Sequence, residues 1–423
     1  MSNVRLAYGK TGLEMTLPDE ADVTLIAPRF VPALPDPIDA LRSALRQPIG
    51  APPLHEVVKS SDRVGIVFSD ITRPTPNHLL LPAILEELAH VPDAQIALFN
   101  ATGTHRPNTD AELRSMWGDP IVDRFEIVQN DAQDRASHGY VGTTVRGNAV
   151  WLHRDFVACD VHILTGFIEP HFFAGFSGGG KATMPGLALL DTIMTNHSAT
   201  NMDDPQVRWG ITHGNPLWEE ITEAAHLIGR NFLVNVTLNS EKAITGVFAG
   251  DLDQAHAQGC RFVRDTAMVP VDRRFDMVIT SNSGYPLDLN LYQSVKGMSA
   301  AAQVVKPGGT ILIAADCWDG IPAGSPYEYL LHSHSSIPAL LDMLRQPGFQ
   351  CQDMWQAYIQ AKLSQAAEIV VYSHNLSAEQ IERALLKPCE NIDTWVDEMM
   401  TRTHGEVSIC VLPEGPQTIP YVV

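Results

Sequence analysis

Hydrophobic residues along the chain fall into short, nearly continuous runs rather than long alternating ones. The runs at Arg63–Phe68, Gln95–Phe99, Val161–Thr165, Phe275–Thr280, Thr310–Ala315, Ala367–Tyr372 and Val407–Leu412 are each bounded by polar, Gly- or Pro-marked loops. That is the pattern of strands buried on both faces. Between them the apolar spacing lengthens to helical periodicity, at Leu79–Leu88, at Leu289–Val304 and from Ser377 onward. Thr109-Asp110-Ala111-Glu112 has the form of a capping box and marks another helix start. Lys306-Pro307-Gly308-Gly309 reads as a tight turn. The strand–loop–helix rhythm predicts an α/β protein: two α/β domains with mainly parallel sheets and an active-site cleft between them. The expected division is residues 1–268 for an N-terminal cofactor-binding and catalytic domain and 269–404 for a Rossmann-like C-terminal domain. Residues 405–423, with their strand, are left free to return to the first domain.

Composition narrows the classes. A chain of 423 residues suits two cores, and 45% hydrophobic with 18% charged residues supports burial. A formal charge of −20 excludes broad nucleic-acid binding and opposes docking on anionic membranes. It leaves a locally basic pocket open. No apolar stretch of about 18 residues, the length of a membrane span, occurs, and the first residues lack a signal-peptide run. The six cysteines are scattered without a C-x-x-C pair, so reduced thiols and a cytoplasmic setting are expected.

In parallel sheets, ligands gather outside the carboxyl ends of the strands. Four post-strand loops carry unusual polar chemistry. Asp70-Ile71-Thr72-Arg73-Pro74 offers a carboxylate, a hydroxyl and a guanidinium that can grip an anion through two bonds, or an ion pair that only fixes a turn. Thr102-Gly103-Thr104-His105-Arg106 offers a histidine able to act as a general base, although with 16 histidines any single one is more often idle. Glu169 to Lys181 holds His171, then Ser177-Gly178-Gly179-Gly180-Lys181. Its glycines suggest backbone amides around a phosphate, and its lysine suggests covalent attachment to a cofactor. Gly175 to Lys181 matches part of a P-loop, but Ala182 stands where magnesium binding needs Ser or Thr. Beyond it, His197 would need further donors to hold a metal, and no local metal motif supplies them. Gln293 and Lys296 are three apart and share a helix face.

Taken in order, Asp70-x-Thr72-Arg73-Pro74, Gly103-Thr104-His105-Arg106, His171-x-x-Ala174-Gly175-x-Ser177-Gly178-Gly179-x-Lys181, His197 and Tyr292-Gln293-x-x-Lys296 resemble the nickel-pincer lactate racemase family. The resemblance implies a racemase or epimerase that inverts C2 of a small 2-hydroxy acid by hydride transfer to and from a nickel-pincer nucleotide. That cofactor is pyridinium-3-thioamide-5-thiocarboxylic acid mononucleotide with nickel. It implies covalent attachment through Lys181, nickel ligation by His197, and His105 and His171 as acid and base on opposite substrate faces. Arg73, Tyr292, Gln293 and Lys296 would bind the substrate. Asp70 would orient Arg73 and, with Thr72, Ser177, Gly178, Gly179 and Trp355, border the cofactor. Implied partners are the substrate and cofactor-biosynthesis enzymes, with a homo-oligomer allowed and neither nucleic acid nor membrane expected. Gly180, where a larger, often basic, residue is common, and Phe176, where Tyr is common, depart from the family pattern and bear on the substrate. The alternative is a non-catalytic phosphate- or nucleotide-binding protein using Gly175–Lys181. A hydrolytic metalloenzyme with histidines from separate loops is a third reading.

Overall fold

The structure, a computed structural model, describes residues 2–403 and 407–423. The expected domain junction at 404–405 therefore lies outside the described residues. Twelve strands build two six-stranded sheets. In chain order they are β1 (Asp22–Leu25), β2 (Val64–Ser69), β3 (Ile96–Ala101), β4 (Glu126–Gln129), β5 (Val161–Phe167), β6 (Arg230–Leu238), β7 (Ile244–Gly250), β8 (Phe275–Ser281), β9 (Val305–Ala314), β10 (Glu368–Tyr372), β11 (Lys387–Cys389) and β12 (Ser408–Leu412). The helices that matter below are α1 (Asp110–Trp117), α2 (Leu190–Asn196), α3 (Pro216–His226), α4 (Leu252–Ala267), α5 (Leu291–Ala302) and α6 (Met354–Ala366).

The larger of two compact units comprises Phe30–His197 and Asp204–Thr266. Its sheet runs β7-β6-β5-β2-β3-β4, parallel except for β7, which pairs antiparallel with β6. Successive residues of these strands enter different cores. Ile66, Phe68, Ile163 and Val234 pack in one cluster, and Val67, Phe99, Leu164 and Leu233 in the other. A strand covered on both faces must be apolar at every position, which is why it reads as an unbroken run. The capping box is present: Thr109 caps α1, and Glu112 returns to the Thr109 N–H at 2.8 Å.

The second unit holds the chain up to Arg29, Ser198–Asp203 and Ala267–Val423. Its all-parallel sheet runs β11-β10-β9-β8-β12-β1. Two expectations change here. β12 does not return to the larger unit: its apolar Ile409, Val411 and Leu412 lie buried beside β8. The first residues, expected in the N-terminal domain, close this sheet instead, with Asp22–Leu25 pairing to Ser408–Val411. The expected turn at 306–309 lies inside β9, where the pairing with β8 shifts register and Gly308 takes φ +74°. Among the described residues, no helix is long and apolar enough to cross a membrane.

Candidate active site

Three of the four loops follow β5, β2 and β3, which are neighbours in one sheet. Parallel pairing brings their carboxyl ends to one edge, so the sheet itself assembles residues separated by more than 100 positions.

Asp70, at the end of β2, is buried, and its Oδ2 lies 3.0 Å from Nδ1 of His105 on the β3 loop. The Thr72 N–H donates to Asp70 Oδ1 at 2.8 Å, and Thr72 Oγ1 lies 3.4 Å from the same His105 nitrogen. Burial pushes the Asp70 carboxyl up, but the His105 and Thr72 bonds outweigh it and bring it down to about 2. The carboxylate therefore stays charged and accepts from the His105 Nδ1–H, which leaves Nε2 on the far side of a half-exposed ring. Asp70 orients His105, and not the Arg73 guanidinium as expected. Arg73 is exposed, and its own bond to Asp70 runs from backbone N–H to backbone carbonyl at 3.1 Å. The neighbouring Arg106 is gripped by both oxygens of Glu112, at 2.8 and 2.7 Å.

After β5 the chain makes a short hairpin, pairing Pro170–His171 with Gly175–Phe176 across a three-residue loop. Ala174 N–H donates to His171 Nδ1 at 3.3 Å. Nε2 lies 3.4 Å from Lys181 Nζ. Phe173 sits among the polar groups: its ring is 4.4 Å from His171, 5.1 Å from His197 and 5.5 Å from Lys181 Nζ. His197 caps the end of α2, almost fully buried, with Nδ1–H donating to the Ile193 carbonyl at 3.1 Å. Burial first, and the Lys181 charge second, push this imidazole down to about 3, so it is neutral at ordinary pH.

The glycine turn is held from beneath. Ser177 Oγ donates to the Phe167 carbonyl at 2.9 Å and accepts from Glu169 N–H at 2.9 Å. Gly179 N–H donates to Asn235 Oδ1 at 2.8 Å. Gly178 has φ +74°, and a Cβ there would lie 2.3 Å from Asn235 Oδ1. Gly175, at φ +81°, passes so close to Ile211 that a Cβ would fall 2.0 Å from its carbonyl oxygen. Gly180 lies against α3, where a Cβ would stand 3.0 Å from the Ile221 carbonyl. Phe176 is buried.

The remaining expected residues belong to the second unit. Asn290 caps α5 by accepting the Gln293 N–H at 3.1 Å. Tyr292, Gln293 and Lys296 are partly exposed in its first two turns, while Leu291, Ser294, Val295 and Gly297 are buried. Tyr292 OH donates to Asp353 Oδ1 at 3.2 Å, and Trp355 is buried on α6. Sequence reasoning missed Asn235, His256, Trp218, Asn215 and Glu220, which support the loops. One signal was readable: a buried asparagine interrupts the apolar run Phe232–Val236.

Two family models match the chain. Residues 8–210 match the lactate racemase N-terminal domain and residues 271–419 the lactate racemase C-terminal domain. The chain is 32% identical over 424 residues to the lactate racemase of Thermoanaerobacterium thermosaccharolyticum, covering 99% of each. It is 35% identical over 380 residues to that of Lactiplantibacillus plantarum, covering 89% of each. The solved structure of the lactate racemase apoprotein from T. thermosaccharolyticum superposes with a TM-score of 0.92 at 31% identity, over 99% of this chain and 100% of that one.

Proposed function

Because the chain belongs to the lactate racemase family, we propose that it is an isomerase that inverts C2 of a small, lactate-like 2-hydroxy acid with a nickel-pincer nucleotide attached at Lys181. The observation that carries the reading is the gathering of Asp70–His105 and His171–Lys181 on loops of adjacent strands, with His197 packed on the same Phe173.

The residues present fit such a group. His197 spends Nδ1–H on a backbone carbonyl and is kept neutral by burial, the state in which Nε2 can ligate a metal. Lys181 offers an amine beside a histidine nitrogen. Among the described residues, no cluster of three or more His, Cys, Asp or Glu side chains could hold a metal ion alone. The remaining donors would come from the nucleotide itself. When bound, the group supplies a reversible acceptor for the hydride of C2.

The chain's own residues then handle protons and position. In one direction His105, held by Asp70, takes the hydroxyl proton through Nε2. In the other, His171 does so from the opposite face, because the hydroxyl of the second enantiomer points the other way. Arg73, Tyr292, Gln293 and Lys296 are proposed to bind the substrate, with the cationic and amide groups on its carboxylate. A held carboxylate keeps the 2-keto acid in place while its carbonyl turns. Thr72, Ser177, Gly178, Gly179 and Trp355 are proposed to border the nucleotide. Ser177 Oγ and the Gly179 N–H are already engaged with Phe167 and Asn235, so their part is to shape the turn. Those bonds also weaken the alternative of reversible phosphate binding by residues 175–181.

The test is the intact mass and nickel content of protein made with its cofactor-biosynthesis partners, with racemisation of a lactate enantiomer followed by polarimetry. An adduct on the Lys181 peptide, near-stoichiometric nickel and turnover are expected. An unmodified Lys181 and no turnover in such a host would overturn the reading.

A further inference from the structure

Helix α3 grips both the loop that carries His171 and Lys181 and the residue beside His197. Asn215, the N-cap of α3, donates Nδ2–H to the Phe173 carbonyl at 2.8 Å and to the Ile211 carbonyl at 2.9 Å. On the first turn of α3, Trp218 stacks on His256 with centroids 4.5 Å apart and planes at 16°. This pair lies against Gly179, where a Cβ would meet both rings at 2.9 Å. His256 Nε2–H donates to the Ser177 carbonyl at 2.9 Å. Two residues on, Glu220 receives Asn196 Nδ2 at 2.6 Å, Thr144 Oγ1 at 2.9 Å and Asn148 Nδ2 at 3.2 Å. Asn196 immediately precedes His197.

Glu220 is the least expected member. It is 2% exposed, and among the described residues its carboxylate is met by neutral donors with no cationic partner. Burying a charge is costly, and apolar replacement of buried charged groups is often neutral or stabilising. Fold stability alone does not account for a glutamate here. What it does provide is a rigid fork of oxygens whose shortest bond ends on the residue next to His197. Asn196 is clamped a second time by the Leu217 carbonyl, at 3.2 Å. The Ile193 carbonyl holds the ring's Nδ1–H and Glu220 holds the residue beside it, so the histidine is fixed both at its ring and through its neighbour.

We propose that Glu220 is the positioning residue for the His197 imidazole, and that α3 thereby sets the spacing of His197 from His171 and Lys181. The proposal rests on the reading of His197 as a nickel ligand and Lys181 as the covalent tether.

Glu220→Gln keeps the shape and removes the charge. In protein isolated with its loading partners, the adduct on the Lys181 peptide is expected to persist, because the tether lies on a different loop. Nickel retention is expected to weaken, with about 10–100-fold, the cost of losing a partner bonded to the ring itself, as the upper bound. In the cofactor-free chain, the ring nitrogens of His197 are expected to move from one tautomer, protonated at Nδ1, to a mixture in ¹⁵N-edited NMR. A merely structural role would lower the melting temperature without separating adduct from nickel. A folded Glu220→Gln protein with wild-type nickel retention and an unchanged His197 tautomer overturns the proposal. If that variant does not fold, Asn196→Ser removes the same contact and leaves Glu220 with Thr144 and Asn148. The same pattern is expected and the same result overturns it. Wild-type protein with neither adduct nor nickel would sink the functional reading instead, and the tautomer comparison would still decide the role of Glu220.

Discussion

His105 and His171 are proposed for mirror-image tasks, yet their surroundings differ. His105 is on an exposed loop with its side chain 39% accessible and a buried, ionised Asp70 behind Nδ1. His171 is tied by a backbone N–H at Nδ1 and faces a lysine nitrogen through Nε2. The two histidines are therefore held differently: one ring is fixed by a side-chain carboxylate from another loop, the other by a backbone N–H of its own loop. Loss of the carboxylate should disturb the first ring and leave the second in place.

The sharpest way to break this comparison is to remove the group that distinguishes the His171 side. Lys181→Ala should abolish the covalent adduct and all turnover; peptide mass spectrometry with an activity assay decides it, and an adduct on the mutant refutes the tether. Next in size, His105→Ala should cost about 10²–10⁴-fold in kcat, in line with general-base losses. Wild-type turnover in that mutant would remove His105 from the chemistry. Asp70→Asn tests whether the carboxylate matters as a charge. It should cost about 10–150-fold in turnover, the equivalent of a hydrogen bond to a charged group. Wild-type turnover in that variant would mean that the carboxylate's charge plays no part.

A smaller effect concerns stability. His256, His162, His138 and His153 all have pKa values depressed chiefly by burial, His256 to about 4. The unfolded chain binds protons at these positions near pH 6.5, where the folded chain does not. Their contribution is intact above about pH 6.5 and declines as pH falls from there toward about 4. Asp70 adds a lower window, losing its contribution as pH falls from about 4 to about 2. Melting temperatures measured across this range should fall toward acid, and His256→Gln should flatten the upper part of the decline. A curve level down to pH 5 would contradict the buried neutral state.

How much of this was legible in the sequence follows from which forces leave a local trace. β2, β5 and β8 were readable because strands covered on both faces must be apolar throughout. α1 was readable from its capping box. β6 went unread because Asn235, placed there to hold Gly179, breaks the apolar run. The short β4 is only partly buried and carries a weak pattern. In the site, His105, His171 and Lys181 stand out because polar chemistry after a strand is conspicuous. The link from Asp70 to His105 spans 35 positions, and the bonds from Asn215 and His256 end on the backbone carbonyls of Phe173 and Ser177, where any residue type would serve as partner. Contacts of that kind have no sequence signature.

The edge strand β1 has a consequence for synthesis. Asp22–Leu25 pairs within its sheet only with β12, at Ser408–Val411. A chain made from its N-terminus carries those four residues without their strand partner until residues 408–411 have been translated. The larger unit, contained within residues 30–266, has all its strands long before that moment. Folding during translation is therefore ordered by topology. The larger unit can form first, and the second sheet is completed only when the last strand emerges beside the earliest one.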